Sequence, residues 1–230
     1  MNINDELFKL QIVELIEAKK RFLPGLPEEV IGCSDHDVRV LARKIVKANA
    51  YNEFLHNLPH KYHEEYVLHG YILSYLDVSQ NELFELIEEF LPYVSNCQVC
   101  DNMAFASKAL ISDKECLLSF IKKLVKIDKT YYVRFAVMLL SKYYLKKNYI
   151  DQVIDIITHI GPDDHYVNLS IAMLLEEACY KYFDHVIYVL KNRLVDPFIH
   201  NKVIKRAQQN SLIDESKKEQ LKLLFLSWEW

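Results

Sequence analysis

The residues with the clearest potential for chemistry stand at one recurring position of the chain. Five positions, 33 or 34 residues apart, read Leu68, Asp101, Arg134, Asn168 and Asn201. A carboxylate and a guanidinium in successive units can form a structural ion pair, with the two amides stacked beside it. The alternative is a functional site in which the same two charged groups face a ligand. The spacing alone leaves both interpretations open.

These positions recur because the sequence around them recurs. Residues 132–140 reappear in degraded form at 166–174, and similar triplets precede and follow them. A period in the thirties is typical of stacked helix pairs. The helix predicted at residues 131–145 is apolar on two sides and carries one polar strip of Arg134, Ser141 and Lys142. We therefore expect an inner helix that lies between neighbouring repeats, with its polar strip facing water.

The rest of the chain shows the same helical periodicity. Apolar spacing predicts a first helix over residues 4–21, another over 97–111 and a last one over 214–226. The chain is 51% hydrophobic and has only 4 glycines and 6 prolines, which favours helices joined by short connections. The predicted fold is all-α, a HEAT-like helical-repeat solenoid (an α-α superhelix) with a concave groove. We expect a single domain over residues 1–230, with the recurring positions lining the groove.

Composition excludes several classes of protein. The formal net charge of −4 provides no global attraction to nucleic acid, so any such site must be a local basic patch. No apolar run approaches the roughly 18 residues of a membrane span, and residues 1–16 lack the basic start and apolar run of a secretory signal. Five cysteines, an odd number, suit a reducing compartment. We expect a cytoplasmic monomer with no membrane contact.

Other reactive side chains are expected to be structural. Cys97 and Cys100 form a single C-x-x-C that lacks the second ligand pair of a zinc site, and no predicted strand precedes it as in a redox motif. We expect core thiols, no metal and no cofactor. Two acidic pairs are expected on solvated faces, namely Glu64–Glu65 and Glu176–Glu177.

Six short stretches, distributed over most of the sequence, are characteristic together: LPH at 58–60, FLPY at 90–93, NCQVCD at 96–101, YVRF at 132–135, YVN at 166–168 and DPFIHNK at 196–202. In these stretches the chain resembles the DNA alkylation repair family, the HEAT-repeat alkylpurine DNA glycosylases (AlkD-like). The resemblance implies a DNA repair glycosylase that releases cationic N3- or N7-alkylated purines from duplex DNA by hydrolysis of the N-glycosidic bond. In that role Asp101 would stabilise the oxocarbenium-like sugar and position water, while Arg134 would contact the DNA backbone.

The resemblance also implies a set of DNA contacts. The expected residues are Cys97, Lys108, Lys142, Asn168, Met173, His200, Asn201, Lys202, Lys205 and Arg206. Cys97 and Met173 stand where the family usually has tryptophans that cradle the lesion nucleotide. The alternative is therefore a catalytically impaired HEAT-repeat module that binds DNA or a protein partner.

Overall fold

The chain folds almost entirely into helices. The computed structural model describes residues 2–104, 109–161 and 164–227. The helices are α1 Ile3–Phe8, α2 Val13–Phe22, α3 Asp35–Lys47, α4 Asn52–His56, α5 His63–Tyr75, α6 Gln80–Phe90, α7 Cys97–Met103, α8 Lys114–Val125, α9 Thr130–Tyr144, α10 Ile150–Thr158, α11 His165–Lys181, α12 Phe183–Lys191, α13 Pro197–Gln209 and α14 Glu215–Lys222. The described residues contain two isolated β-bridges and no strand, so the predicted all-α class is confirmed.

The chain divides into two compact units, Met1–Phe120 and Ile121–Trp230. In unit 1, α5 packs between α3 and α7. In unit 2, α11 packs between α9 and α13. Alternate helices therefore stack on one another within each unit, as the repeat period predicts for a solenoid. A groove that extends over both units, and a single domain over residues 1–230, stay predictions. Within the described ranges, no helix is long and apolar enough to cross a membrane.

The first predicted helix, over residues 4–21, is wrong as a continuous element. It is divided into α1 and α2, and the intervening backbone bonds to a distant loop. The Ile12 N–H donates to the Gly32 carbonyl over 2.9 Å, and the Gln11 side chain donates to the Ile31 carbonyl over 2.8 Å. Gly32 has φ of +96°, a conformation that side chains other than glycine rarely adopt. The loop turns tightly at Gly32, and the Gly32 carbonyl accepts the hydrogen bond that the Ile12 N–H would donate within a continuous helix.

The prediction that the acidic pair in α5 faces solvent is also wrong, because Glu64 and Glu65 are buried. The Glu64 carboxylate accepts hydrogen bonds from the backbone N–H groups of Ile31, Gly32 and Cys33, at 2.8–3.2 Å, and from the Lys19 ammonium at 2.9 Å. Burial alone would raise the pKa of Glu64, but Lys19 and the backbone donors outweigh it and lower the pKa. The buried anion therefore ties α2 and the 31–33 loop to α5.

A buried histidine pair lies at the other side of α5. His60 Nε2 and His69 Nδ1 are 2.9 Å apart, so one ring donates and the other accepts. The His69 ring stacks on Phe90 with centroids 3.7 Å apart, and the His60 ring stacks on Phe54 at 4.5 Å. Burial lowers the pKa of His60 to about 4 and lowers that of His69 well below its usual value. Both imidazoles are therefore neutral members of an aromatic core.

Two later helices are shorter than predicted. The helix expected over residues 97–111 ends at Met103, where Ala104 begins a turn. The helix expected over 214–226 is α14, which ends at Lys222. In the second case the chain leaves the helix through short turn bonds, from the Leu224 N–H to the Leu221 carbonyl and from the Phe225 N–H to the Lys222 carbonyl, and Leu226 then bonds to Asn201 of α13.

Candidate nucleic-acid interface

Asp101 lies on α7, a helix of seven residues in unit 1. The Asn96 side chain caps the start of this helix by accepting from the Val99 N–H over 3.1 Å. Asp101 is half-buried, and so is Cys97, one turn earlier on the same face. The carboxylate is therefore partly accessible to solvent, as a residue that meets a ligand must be. Lys108, expected two turns further on, lies outside the described residues.

The position of α7 depends on its close approach to α5. A Cβ atom added at Gly70 would lie 3.2 Å from Met103 Cγ and 3.5 Å from the Val99 carbonyl oxygen. The Ser74 hydroxyl spans the same contact, 3.3 Å from the Asn102 carbonyl oxygen. A glycine on α5 thus allows the helix that carries Asp101 to pack directly against the backbone of its neighbour.

A polar cluster, which the sequence analysis did not predict, joins α3, α5 and α7 beside Asp101. The Tyr71 hydroxyl lies 2.7 and 2.9 Å from the two carboxylate oxygens of Asp35. From α7, Asn102 and Gln98 donate to the same carboxylate over 3.4 and 3.5 Å. Burial, together with the Asp35 acceptor, raises the pKa of Tyr71 to about 12, so the phenol keeps its proton. In the sequence, this cluster shows only as polar residues on neighbouring inner helices. The pattern within any single helix does not reveal that these residues meet.

Arg134 departs from the expectation that its strip faces water. Its side chain is only 4% exposed, on α9 in unit 2. Its guanidinium Nη1 donates to the Tyr166 carbonyl oxygen at the start of α11 over 2.8 Å. The polar face of α9 begins later, at half-buried Ser141 and exposed Lys142. Arg134 therefore joins α9 to α11.

The two recurring asparagines are buried as well. Asn168 is 7% exposed on α11, and Asn201 is 5% exposed on α13. The Asn201 amide forms two bonds of 2.9 Å with Leu226, one to its carbonyl oxygen and one from its N–H. His200, also buried, donates from Nε2 to the Leu224 carbonyl oxygen over 2.8 Å. His200 and Asn201 therefore hold the segment after α14, which explains their polarity without a nucleic acid.

Of the other residues expected to contact DNA in unit 2, Arg206 is already paired. Its guanidinium binds the Glu176 carboxylate at 2.9 and 3.1 Å, and Glu176 is half-buried rather than solvated as predicted. Met173 lines a shallow cavity of about 290 Å³ beside this ion pair. Lys202 is half-buried, and Lys205 is exposed with its ammonium 5.6 Å from the Phe225 ring centre. The structure brings Met173 and Arg206 together, while Lys142, Lys202 and Lys205 have the accessibility that a phosphate contact needs.

The thiols and histidines show no site of their own. Cys100 is buried and Cys97 is half-buried. Among the residues that the structure describes, no three histidine, cysteine, aspartate or glutamate side chains cluster as a metal ion would require.

A family model described as DNA alkylation repair enzyme matches residues 3–214, which is most of the chain. Comparison with curated proteins finds no match.

Proposed function

The chain belongs to the DNA alkylation repair enzyme family, and from this we propose that it is a DNA glycosylase for alkylated bases. Its role in DNA repair follows from the family. The finer proposal is that it hydrolyses the N-glycosidic bond of cationic N3- or N7-alkylated purines in duplex DNA. The observation that carries the proposal is Asp101, a partly accessible carboxylate at the position that the resemblance assigns to catalysis.

The chemistry requires little more than a well-placed anion. When a cationic alkylpurine leaves, positive charge develops on the sugar, and a carboxylate beside C1′ stabilises it. At ~4 Å and an effective dielectric of ~20 the attraction is about 4 kcal/mol, which corresponds to roughly a thousandfold in rate. The same carboxylate can orient or deprotonate the attacking water. Because the leaving base already carries the positive charge, no general acid is required.

Arg134 has a different part in this proposal from the one that the sequence suggested. Its bond to the Tyr166 carbonyl oxygen fixes the guanidinium at the start of α11. Because Arg134 is only 4% exposed, its charge acts on the DNA backbone over a distance rather than through a direct bond to a phosphate. We propose that Arg134 helps to position the DNA backbone, while Asp101 alone takes part directly in the reaction.

The decisive experiment measures release of 7-methylguanine from duplex DNA by the full chain. We expect release by the wild-type protein and its loss in Asp101→Asn, with duplex affinity unchanged within about twofold. Asp77→Asn is the matched control, because Asp77 is an exposed acid of the same unit outside α7. No release by the wild-type protein, while a known glycosylase is active on the same DNA, would refute the proposal. Loss of both release and affinity in Asp101→Asn would indicate a structural role instead.

A second candidate function is a binding module without catalysis. It is favoured by one observation, the presence of Cys97 and Met173 where the family has tryptophans. Neither side chain offers the flat aromatic face whose stacking on a base is worth about 1–3 kcal/mol. Salt-sensitive duplex binding without base release would support this function, and release that appears in Cys97→Trp/Met173→Trp would show that the rest of the site is intact.

A further inference from the structure

The second half of α3 is strongly basic in a chain that is acidic overall. Residues 38–48 contain four cations and no acidic residue, although the whole chain has a formal net charge of −4. Lys44 is paired with Glu6 at 3.0 Å. The other three cations, Arg39, Arg43 and Lys47, follow one another at intervals of four residues and therefore lie along one side of the helix. We call these three residues the α3 ridge.

Two members of the ridge are held in place by tyrosines of the neighbouring helix. The Arg39 guanidinium carbon lies 5.0 Å from the Tyr71 ring centre, and that of Arg43 lies 4.9 Å from the Tyr75 ring centre. Stacking on an aromatic face fixes the plane of a guanidinium while its N–H groups still point outward along the edge. Arg43 and Lys47 are exposed, and the Arg39 side chain is one-third exposed. The stacked side chains are therefore ordered and also accessible to a ligand.

The ridge begins at the polar cluster beside Asp101. Arg39 Nη2 lies 3.2 Å from the Tyr71 hydroxyl and 3.8 Å from Asp35. Asn102, the residue after Asp101, donates to the same Asp35 carboxylate. Asp35 offsets part of the charge of Arg39, and α3 itself has no acidic residue from Val38 to its end. A ligand that reaches Asp101 along this side of unit 1 would next meet positive charge.

We infer that the α3 ridge binds the phosphate backbone of duplex DNA next to the Asp101 site. This inference rests on the proposed DNA-directed function and names a part of its interface. Each step of four residues advances the helix by ~6 Å, so the ridge extends over ~12 Å. One strand of duplex DNA presents a phosphate for every ~3.4 Å of its axis. The ridge is thus as long as about three to four phosphates of one strand, and its cations can contact phosphates within that length; arginine suits this role because its N–H groups bind phosphate oxygens in pairs.

The test is the salt dependence of duplex binding by the full chain. Each phosphate contact contributes about 0.9 to the slope of log affinity against log salt concentration. We expect the variant Arg39→Gln/Arg43→Gln/Lys47→Gln to reduce this slope by roughly 2 to 3. The control Lys122→Gln/Lys126→Gln/Lys191→Gln removes the same charge from exposed positions outside unit 1, namely Lys122 on α8, Lys126 just after α8 and Lys191 on α12, and should leave the slope within about 1 of the wild-type value. Arg39→Lys/Arg43→Lys keeps the charge and should retain most of the slope, which separates charge from folding.

The outcomes distinguish this inference from the proposed function. Wild-type binding with an unchanged slope in the ridge variant would overturn the inference and leave the glycosylase proposal standing. An equal decrease in the ridge and control variants would also overturn it, because the effect would then follow net charge. Absence of salt-dependent duplex binding by the wild-type protein would refute both.

Discussion

Acid should destabilise this protein through its buried histidine pair. Burial lowers the pKa of His60 to about 4, against an ordinary value of 6.5. The unfolded chain therefore binds a proton at a pH where the folded chain does not. The contribution of His60 to stability is fully present above pH 6.5 and is lost as the pH falls from there to about 4. With 1.36 kcal/mol for each pKa unit, the loss is about 2 kcal/mol at pH 5 and approaches about 3 kcal/mol at the lower limit.

His60→Phe tests this account because it removes the titrating group and keeps an aromatic ring on Phe54. It also leaves His69 Nδ1 without its partner, so the variant should be less stable at pH 8 by about 1–3 kcal/mol. Between pH 8 and pH 5, however, its free energy of unfolding should fall by about 2 kcal/mol less than that of the wild type. The measurement is urea-induced unfolding at several pH values, with His36→Gln as the control because His36 is exposed. Parallel decreases in the wild type and His60→Phe would refute the reasoning.

Two further predictions concern the loop that α5 holds. Glu64→Gln should reduce the free energy of unfolding by about 3–5 kcal/mol, because it leaves Lys19 beside an uncharged group in a buried site. Denaturant unfolding measures this, and exposed Glu85→Gln should change little. Gly32→Ala should destabilise more than Gly25→Ala, since both glycines have positive φ but only at Gly32 would the new methyl lie 2.7 Å from the Ile12 carbonyl oxygen. Equal changes in melting temperature for the two variants would show that backbone strain alone matters there.

The sequence predicted the features that depend on local periodicity. Apolar spacing predicted the all-α class, and the recurring triplet identified the helices that stack within each unit. The start of α13 is also encoded locally, because Asp196 caps the helix by accepting from the Phe198 N–H and Pro197 occupies its first position. The packing of helix on helix follows from those same apolar faces.

Contacts between residues distant in the sequence could not be predicted in this way. A charged residue in a helix was expected to face water, yet Glu64 and Arg134 are buried because their partners are backbone groups elsewhere in the chain. A backbone N–H or carbonyl group has no signature in the sequence. His200 and Asn201 were assigned to DNA for the same reason, since the segment that they hold begins more than twenty residues later. The α3 ridge has no signature at the recurring positions, because its order depends on Tyr71 and Tyr75 of the neighbouring helix α5.

The close contact at Gly70 affects the position of α7, the helix that carries Asp101. A glycine within a helix is less favourable than alanine by about 1 kcal/mol, so α5 is less stable as a helix than it would be with alanine there. A methyl group at this position would require Met103 Cγ on α7, 3.2 Å away, to move by a few tenths of an ångström, whereas the Val99 carbonyl oxygen at 3.5 Å is already at ordinary contact distance. Rates of positioned reactions change by as much as a hundredfold for a shift of about 1 Å. In the proposed glycosylase, the position of the Asp101 carboxylate would thus depend on a residue that has no side chain and takes no part in the chemistry.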